Sequence, residues 1–306
     1  MDVRIVPAAA RTLRDIRPGA ALLGGGQSVV REFLEAHPDV GWRWFHLMSS
    51  GPDHITGWRI LDHVPLITCS RGVNARSMAE WVLAALLHFQ RDLDLYTRAQ
   101  WDPEARARRW ERRWARELSE QHMVVWGAGS VARELAPMAR ALGLRVTGVR
   151  RSGGGADGFD AVVTPGGLDK VLPTADVLVV LLPLGPGTRG VVSADRLARL
   201  PEGSLLIAAS RGGVVEETAA LRGVREGHLR GAAFDVFEEE PLPDDAPHWR
   251  EPGVLVTPHV AGTTDRFMDH VGAIVEEIWE AAFKCQSERS FGMDEVLNRY
   301  RVDATR

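Results

Sequence analysis

Three short stretches of this chain carry residues able to bind an anion and move a proton. They are Ala209-Ser210-Arg211-Gly212-Gly213-Val214-Val215, the run GAAFDVFEEEPLP from Gly231 to Pro243, and Val256-Thr257-Pro258-His259-Val260-Ala261-Gly262. Arg211, Asp235 and His259 each stand at or just beyond the C-terminal end of an apolar run that reads as a strand. In open α/β sheets that edge is where ligands bind. An arginine there can hold a carboxylate and polarise a carbonyl. A histidine there can change charge near pH 7 and deliver a proton.

A second constellation precedes them. Gly127-Ala128-Gly129-Ser130-Val131-Ala132 follows the apolar run HMVVW (122–126) and opens a stretch with apolar residues at Val131, Leu135, Met138, Ala139 and Leu142. This is a G-x-G-x-x-A turn between strand and helix, the setting that a dinucleotide site demands. The first glycine permits the tight turn, and the second lets backbone approach a pyrophosphate at the helix N-terminus. The alternative is a structural glycine turn with no cofactor. Pro137, inside the helix, removes one hydrogen bond and should kink it. The next strand, RVTGV (145–149), ends in Arg150-Arg151-Ser152 rather than in the acidic residue that would accept from a ribose 2′-hydroxyl. Asp157, the nearest candidate, lies past a glycine-rich turn. Guanidinium groups match phosphate geometry, so the pattern favours NADP(H), with NAD(H) possible. The alternative is that both arginines point into solvent.

These residues need a scaffold, and the chain has the length for one. It has 306 residues, 45% hydrophobic and 25% charged, which is ordinary globular composition sufficient for about two domains. A net charge of −4 provides no field to recruit nucleic acid or membrane. Cys69 and Cys285 form neither metal-ligand spacing nor a disulfide framework. With no secretory run and no apolar span of about 18 residues, the expected compartment is the cytoplasm. RWFHLM (43–48) reads as a buried strand closed by SSGPD (49–53), and a helix is expected over about Ser77–Arg91. From 122 onward the apolar runs 122–126, 145–149, 176–182, 204–209, 231–236 and 253–256 mostly alternate with helical or turn signals. A parallel sheet covered on both faces is expected. A helical tail is expected from Thr264 to about Phe283. The segment Glu104–Glu117, EARARRWERRWARE, carries six arginines with Trp110 and Trp114 four apart. It reads as a solvated helix whose tryptophans pack on the body or on a second subunit. Nucleic-acid binding is the alternative, weakened by acidic residues at 104, 111 and 117.

Nearly the whole chain resembles the D-isomer-specific 2-hydroxyacid dehydrogenases, particularly their glyoxylate/hydroxypyruvate reductase branch. The stretches that carry the resemblance are SSGPDHI (49–55), GVNARSMAEWVLAALL (72–87), VVWGAGSVARELA (124–136), LLPLGPGTRG (181–190), SRGGVVEETA (210–219), FDVFEEEPLP (234–243) and TPHVAG (257–262). It implies two Rossmann-like α/β domains with doubly wound parallel sheets. A dinucleotide-binding domain (97–268) would be inserted into a smaller flavodoxin-like substrate domain (1–96 and 269–306). It places the family's catalytic arginine, glutamate and histidine on Arg211, Glu240 and His259. Cofactor contacts are implied at Gly127, Gly129, Ser130, Val131, Arg150, Arg151, Ser152, Leu182, Pro183, Ala209, Ser210, Asp235 and Gly262. Asp235 would meet the nicotinamide carboxamide, and the loop Ser50-Gly51 would hold the substrate carboxylate beside Arg211 and His259. The implied partners are a small 2-keto or 2-hydroxy acid and a second copy of the chain in a homodimer, with no metal, nucleic acid or membrane.

Keto-acid reduction needs these groups. A hydride goes to the carbonyl carbon and a proton to its oxygen. Glu240 beside His259 would favour imidazolium and orient the ring. Each residue alone has a plainer reading: Arg211 as a strand-end charge, Glu240 as one of three solvated glutamates, His259 as a loop histidine. Their order and spacing together point to one site. Glyoxylate or hydroxypyruvate is the expected substrate. Formate oxidation is disfavoured, because the resembling formate enzymes carry glutamine at the position of Glu240. The chain departs from the family at Ala208, Ser210, Glu216 and Pro52, which bears on the substrate more than on the reaction class. The rival reading is a nicotinamide-sensing, non-catalytic binding protein like the corepressors that share this fold. A relative that binds cofactor without turnover is a third.

Overall fold

The structure, a computed structural model, describes residues 21–24, 31–32, 35–36, 41–51, 55, 58, 64–104, 110–152, 158–281 and 299–301. Pro52, Asp157, Cys285 and the arginines at 106, 108 and 109 lie outside the described residues. Two compact units result, Met1–Val73 with Thr264–Arg306, and Asn74–Thr263.

In the first unit, strands β1 (Ala21–Gly24), β2 (Trp44–Leu47) and β3 (Leu66–Cys69) form a parallel sheet in that order. Strand β2 is buried along its whole length. Trp44 packs with Val271, Val275 and Ile278 of the helix Phe267–Trp279. Three polar side chains, His46, Thr68 and Ser70, are buried together beside this core. His46 is fully buried, with Nδ1 2.8 Å from Thr68 Oγ1 and Nε2 2.9 Å from Ser70 Oγ. Burial lowers its pKa from 6.5 to about 4, so the ring is neutral. The loop Ser49-Ser50-Gly51 leaves the C-terminal end of β2. Ser70 N donates to Leu47 O at 2.9 Å and to Ser49 O at 3.0 Å, and Ser49 Oγ donates to Gly51 O at 2.9 Å.

The second unit is built on seven parallel strands: β4 (His122–Trp126), β5 (Arg145–Val149), β6 (Ala161–Val163), β7 (Val177–Val180), β8 (Ser204–Ala208), β9 (Leu229–Phe234) and β10 (Val254–Val256). Their order is β10-β9-β8-β7-β4-β5-β6. The chain therefore runs outward from β4 to β6, returns to β7 on the other side, and continues to β10. That is doubly wound topology with its switch point between β4 and β7. Side chains alternate between the two faces. Met123, Val125, Val179 and Ile207 pack on the layer holding the helices Ala75–Gln90 and Ser130–Ala141. Val124, Val180, Leu206 and Phe234 pack on the opposite layer with Leu168, Leu197 and Ala220. Both faces are covered, which is why the strands read as continuous apolar runs. Strand β6, only three residues long, carries no such run.

Packing draws the limits of this unit at 73/74 and 263/264, whereas the sequence reading sets them at 96/97 and 268/269. The helix Ala75–Gln90 makes the difference at the first limit. Its Phe89 ring lies over Gly231 of β9, where a Cβ would come within 2.7 Å of it. The two ends of the unit are neighbours. Ser77 Oγ lies 3.1 Å from Asn74 O and 3.3 Å from Gly262 O, and a Cβ on Gly262 would sit 2.7 Å from Asn74 Nδ2.

The arginine/tryptophan segment differs from the expected solvated helix over its described residues 110–117. The helix Leu93–Trp101 ends before it, and residues 110–117 contain no helix. Trp110 and Trp114 are 92% and 96% exposed. Arginines four apart repel in a helix. The backbone carbonyls here are taken by side chains instead: Tyr96 Oη donates to Glu111 O at 2.9 Å, and Gln90 Nε2 donates to Arg116 O. Among the described residues no helix is long and apolar enough to cross a membrane.

Candidate active site

The turn after β4 is shaped by two close approaches. Gly127 has φ +110°, and a Cβ on it would lie 2.6 Å from the backbone carbon and oxygen of Leu181, just beyond β7. Only glycine allows the ends of β4 and β7 to meet there. Gly127 N and Ala128 N both donate to Val149 O at 3.0 Å, tying the turn to the end of β5. Gly129 faces open space, with nothing within 4 Å of a built Cβ, and no side chain caps the helix that starts at Ser130. The first-turn amides of that 12-residue helix, Ser130 and Val131 among them, are left for a ligand. An anion of pyrophosphate size fits this cradle. The helix runs on through Pro137 to Ala141, so the lost hydrogen bond does not end it. Arg150, Arg151 and Ser152 follow β5 on the same edge, with Arg151 and Ser152 exposed. Leu182 and Pro183 follow β7, and Ala209 and Ser210 follow β8, both buried.

Further along this edge, His259 Nδ1 lies 2.8 Å from Glu240 Oε2. The side chains are 49% and 35% exposed, so the pair opens to solvent. Glu240 is held from its other oxygen, where Phe237 N donates to Oε1 at 2.9 Å. His259 stands in the left-handed region at φ +53°, a conformation that non-glycine residues adopt only when their surroundings impose it. Asp235 imposes it. Its backbone oxygen accepts from His259 N at 2.9 Å. Its buried carboxylate accepts from Thr257 Oγ1 at 2.5 Å, Val260 N at 2.8 Å and Ala261 N at 2.9 Å. Arg211 follows β8 on the neighbouring loop and donates from Nη1 to Ser210 O at 2.8 Å. That loop lies hard against the Glu240 loop, because a Cβ on Gly212 would fall 1.7 Å from Phe237 O.

A model of the family described as D-isomer specific 2-hydroxyacid dehydrogenase, NAD binding domain, matches residues 83–261. The chain belongs to the D-isomer-specific 2-hydroxyacid dehydrogenase family. As a 2-hydroxyacid dehydrogenase it is an oxidoreductase acting on CH–OH groups. It is 32% identical over 277 residues to an (S)-sulfolactate dehydrogenase of Chromohalobacter salexigens, covering 89% of this chain and 87% of that relative. It is 29% identical to a glyoxylate/hydroxypyruvate reductase A of Salmonella paratyphi B, over 79% of this chain and 70% of the relative. Among solved structures it is similar to an NADPH-dependent glyoxylate/hydroxypyruvate reductase of Sinorhizobium meliloti in complex with NADP and sulfate. That match has a TM-score of 0.77 and 27% identity, over 94% of this chain and 89% of that one.

The structure thus brings the dehydrogenase's Gly127–Val131 turn and its Arg211, Glu240, Asp235 and His259 to one edge of one sheet. Ser50 and Gly51 stand at the C-terminal edge of the other unit's sheet. Two contributors escaped the sequence reading. Gly212 and Thr257 lie inside quoted motifs, but their contacts are made across the fold. Asp235 acts visibly as the anchor of the His259 turn. Two of the buried histidines stand well apart from the site. One is His46. The other, His122, lies at the N-terminal end of β4, where burial and then Arg145 lower its pKa and its ring meets Thr174 O and Thr147 Oγ1. A cavity of about 470 Å³ lined by Gln90, Arg112, Trp114, Gly203, Leu205 and Arg230 lies toward the starts of β8 and β9, away from the Arg211 edge.

Proposed function

We propose that this dehydrogenase reduces a small 2-keto acid, glyoxylate or hydroxypyruvate, to the 2-hydroxy acid with NADPH, and that Arg211, Glu240 and His259 carry the reaction. The observation that bears most weight is the 2.8 Å contact between His259 Nδ1 and Glu240 Oε2, held beside Arg211 on the edge that carries the dinucleotide turn. A carboxylate only accepts, so Nδ1–H donates to Glu240 and Nε2 is left to face substrate. Bound dihydronicotinamide supplies the hydride for the carbonyl carbon. His259 gives the Nε2 proton to the carbonyl oxygen, and Glu240 stabilises the imidazolium from which it leaves. Arg211 binds the carboxylate and stabilises charge developing on the carbonyl oxygen. Ser50 and Gly51 are proposed as further substrate-binding residues.

NADPH is favoured over NADH because Arg150, Arg151 and Ser152 end β5 where a 2′-phosphate would lie, a choice in keeping with the NADPH-dependent structural relative. Gly127, Gly129, Ser130 and Val131 take the pyrophosphate, and Leu182, Pro183, Ala209, Ser210 and Gly262 line the path from it to His259. The remaining acceptor position of Asp235 serves the nicotinamide carboxamide. Two copies pair through the segment that exposes Trp101, Trp110 and Trp114 by 81%, 92% and 96%. Indole rings so bare are typical of surfaces that a partner covers.

Initial rates of NADPH and NADH oxidation with glyoxylate, hydroxypyruvate and the keto acid corresponding to sulfolactate test this reading, beside a His259→Ala control. Turnover that prefers NADPH and falls at least 10³-fold in the control supports it. Turnover only with the sulfonated keto acid moves the substrate and keeps the chemistry. Undiminished turnover in His259→Ala defeats the assignment of the acid.

A further inference from the structure

A second histidine–carboxylate pair lies directly behind the first. Glu217 opens the helix Glu217–Arg225, and its Oε1 accepts from Glu238 N at 2.7 Å. Its Oε2 faces His248 Nε2 at 3.2 Å, with side chains only 15% and 7% exposed. The contact lacks the alignment of a hydrogen bond, so the two groups meet by packing. The His248 ring sits edge-on to Phe234 and Phe237, with centroids 5.6 Å and 5.5 Å away. An ionisable histidine in such an aromatic wall is an unusual choice where an aliphatic side chain would pack.

The loop between these pairs connects them. Phe237 and Glu238 present successive amides. The first donates to Glu240 Oε1 at 2.9 Å and the second to Glu217 Oε1 at 2.7 Å. Glu240 therefore points at His259 from a loop whose backbone is fastened two residues earlier, at Glu238, to Glu217, and whose Phe237 ring rests on His248. The carboxylate of Glu238 takes no part in this, because it turns outward to Arg189 at 2.9 Å.

We propose that Glu217, backed by His248, is a positioning residue that acts on the reaction through Glu240. This rests on the assignment of Glu240 and His259 as the acid–base pair. Glu217 touches neither substrate nor cofactor. It fixes the amide ladder from which Glu240 is hung, and so fixes the direction of the Glu240–His259 hydrogen bond. His248 keeps the Glu217 carboxylate turned toward Glu238 by occupying its far side.

The test is a mutant cycle on the full chain with NADPH and whichever 2-keto acid turns over best. Glu217→Asp keeps the charge but is one methylene too short to reach the Glu238 amide. Glu217→Gln keeps an acceptor at Oε1. The expected result is a kcat about tenfold lower in Glu217→Asp and within threefold of wild type in Glu217→Gln, with NADPH affinity unchanged in both. In a Glu240→Gln background the Glu217→Asp change should alter kcat less than twofold, because the group it acts through is already altered. His248→Leu, which refills the wall, should lower kcat threefold to tenfold at unchanged NADPH affinity. Glu217→Asp at wild-type kcat overturns the proposal, as does the same factor in both backgrounds, which marks a merely structural role. Glu240→Gln at wild-type kcat overturns the acid–base assignment itself, an outcome distinct from failure of the positioning role alone.

Discussion

Replacing Gly212 by alanine adds one methyl group between the two loops that carry Arg211 and Glu240, the residues proposed for the reaction. The added Cβ would fall 1.7 Å from Phe237 O, 2.0 Å from Phe237 C and 2.5 Å from Glu238 N. All three are backbone atoms, so no side chain can swing aside. Ordinary contact begins near 3.5 Å, and the loops must separate by about 2 Å to restore it. One loop bears Arg211. The other bears the Phe237 amide that holds Glu240, which in turn holds His259 at 2.8 Å. Displacing catalytic groups by about 1 Å costs on the order of 10²-fold in rate. Gly212→Ala is therefore expected to lower kcat by about 10²- to 10³-fold. Overpacking of this kind also costs about 1–3 kcal/mol of stability, a drop of several degrees in Tm that leaves the chain folded. The Gly127–Val131 turn lies elsewhere on the edge, so NADPH binding, followed by nicotinamide fluorescence, should stay within threefold of wild type. Initial rates, a thermal melt and a binding titration on the same preparation separate these effects. A variant with kcat within threefold of wild type would refute the argument, since it would mean that the Arg211 and Glu240 loops are not in register across Gly212.

Other consequences follow from the same geometry. Substituting Arg150 and Arg151 together by alanine should raise KM for NADPH about tenfold or more while leaving KM for NADH nearly unchanged, because a charge-assisted hydrogen bond to phosphate contributes about 1.5–3 kcal/mol; an equal rise for both cofactors would remove the 2′-phosphate assignment. His46 stays neutral down to about pH 4 in the folded chain and titrates near 6.5 when unfolded. The unfolded chain therefore binds more protons between those values, and stability should fall by up to about 3 kcal/mol as pH drops through that window. Urea denaturation at pH 7 and pH 4.5 should show this slope in wild type and its loss in His46→Leu; an undiminished slope in the variant would place its origin elsewhere. If copies pair through this segment as proposed, Trp110→Ser with Trp114→Ser should shift the chain toward monomer in sedimentation velocity; an unchanged distribution would remove that proposal.

Most of the second unit could be read in advance because its strands are buried on both faces. HMVVW and RVTGV are strands with the limits expected of them, since a covered parallel strand leaves an uninterrupted apolar run. Strand β6 escaped notice because three half-exposed residues at a sheet edge carry no periodic signal. The arginine/tryptophan segment misled for a related reason. Tryptophans four apart imitate one face of a helix, yet the carbonyls there bond to Tyr96 and Gln90, which are far away in sequence. Within the site, residue types were legible and the contacts among them were not. A motif shows that Gly212 is small, but only the fold shows that Phe237 O needs the space. Likewise Asp235 and His259 are 24 positions apart, and their joint geometry exists only once β9 and β10 lie side by side.

Because Asn74 and Gly262 touch, the dinucleotide unit leaves its host at almost the same point at which it enters. Nearly 190 residues hang from a gap no wider than that of a surface turn. The free energy of closing so long an excursion depends only weakly on its length, and ends that meet are what allow a folded body to sit within another chain. The arrangement makes the unit a cassette. Exchanging Asn74–Thr263 for the corresponding segment of another family member would join two cut ends at one place, so the dinucleotide unit is exchangeable between relatives as a separate genetic module.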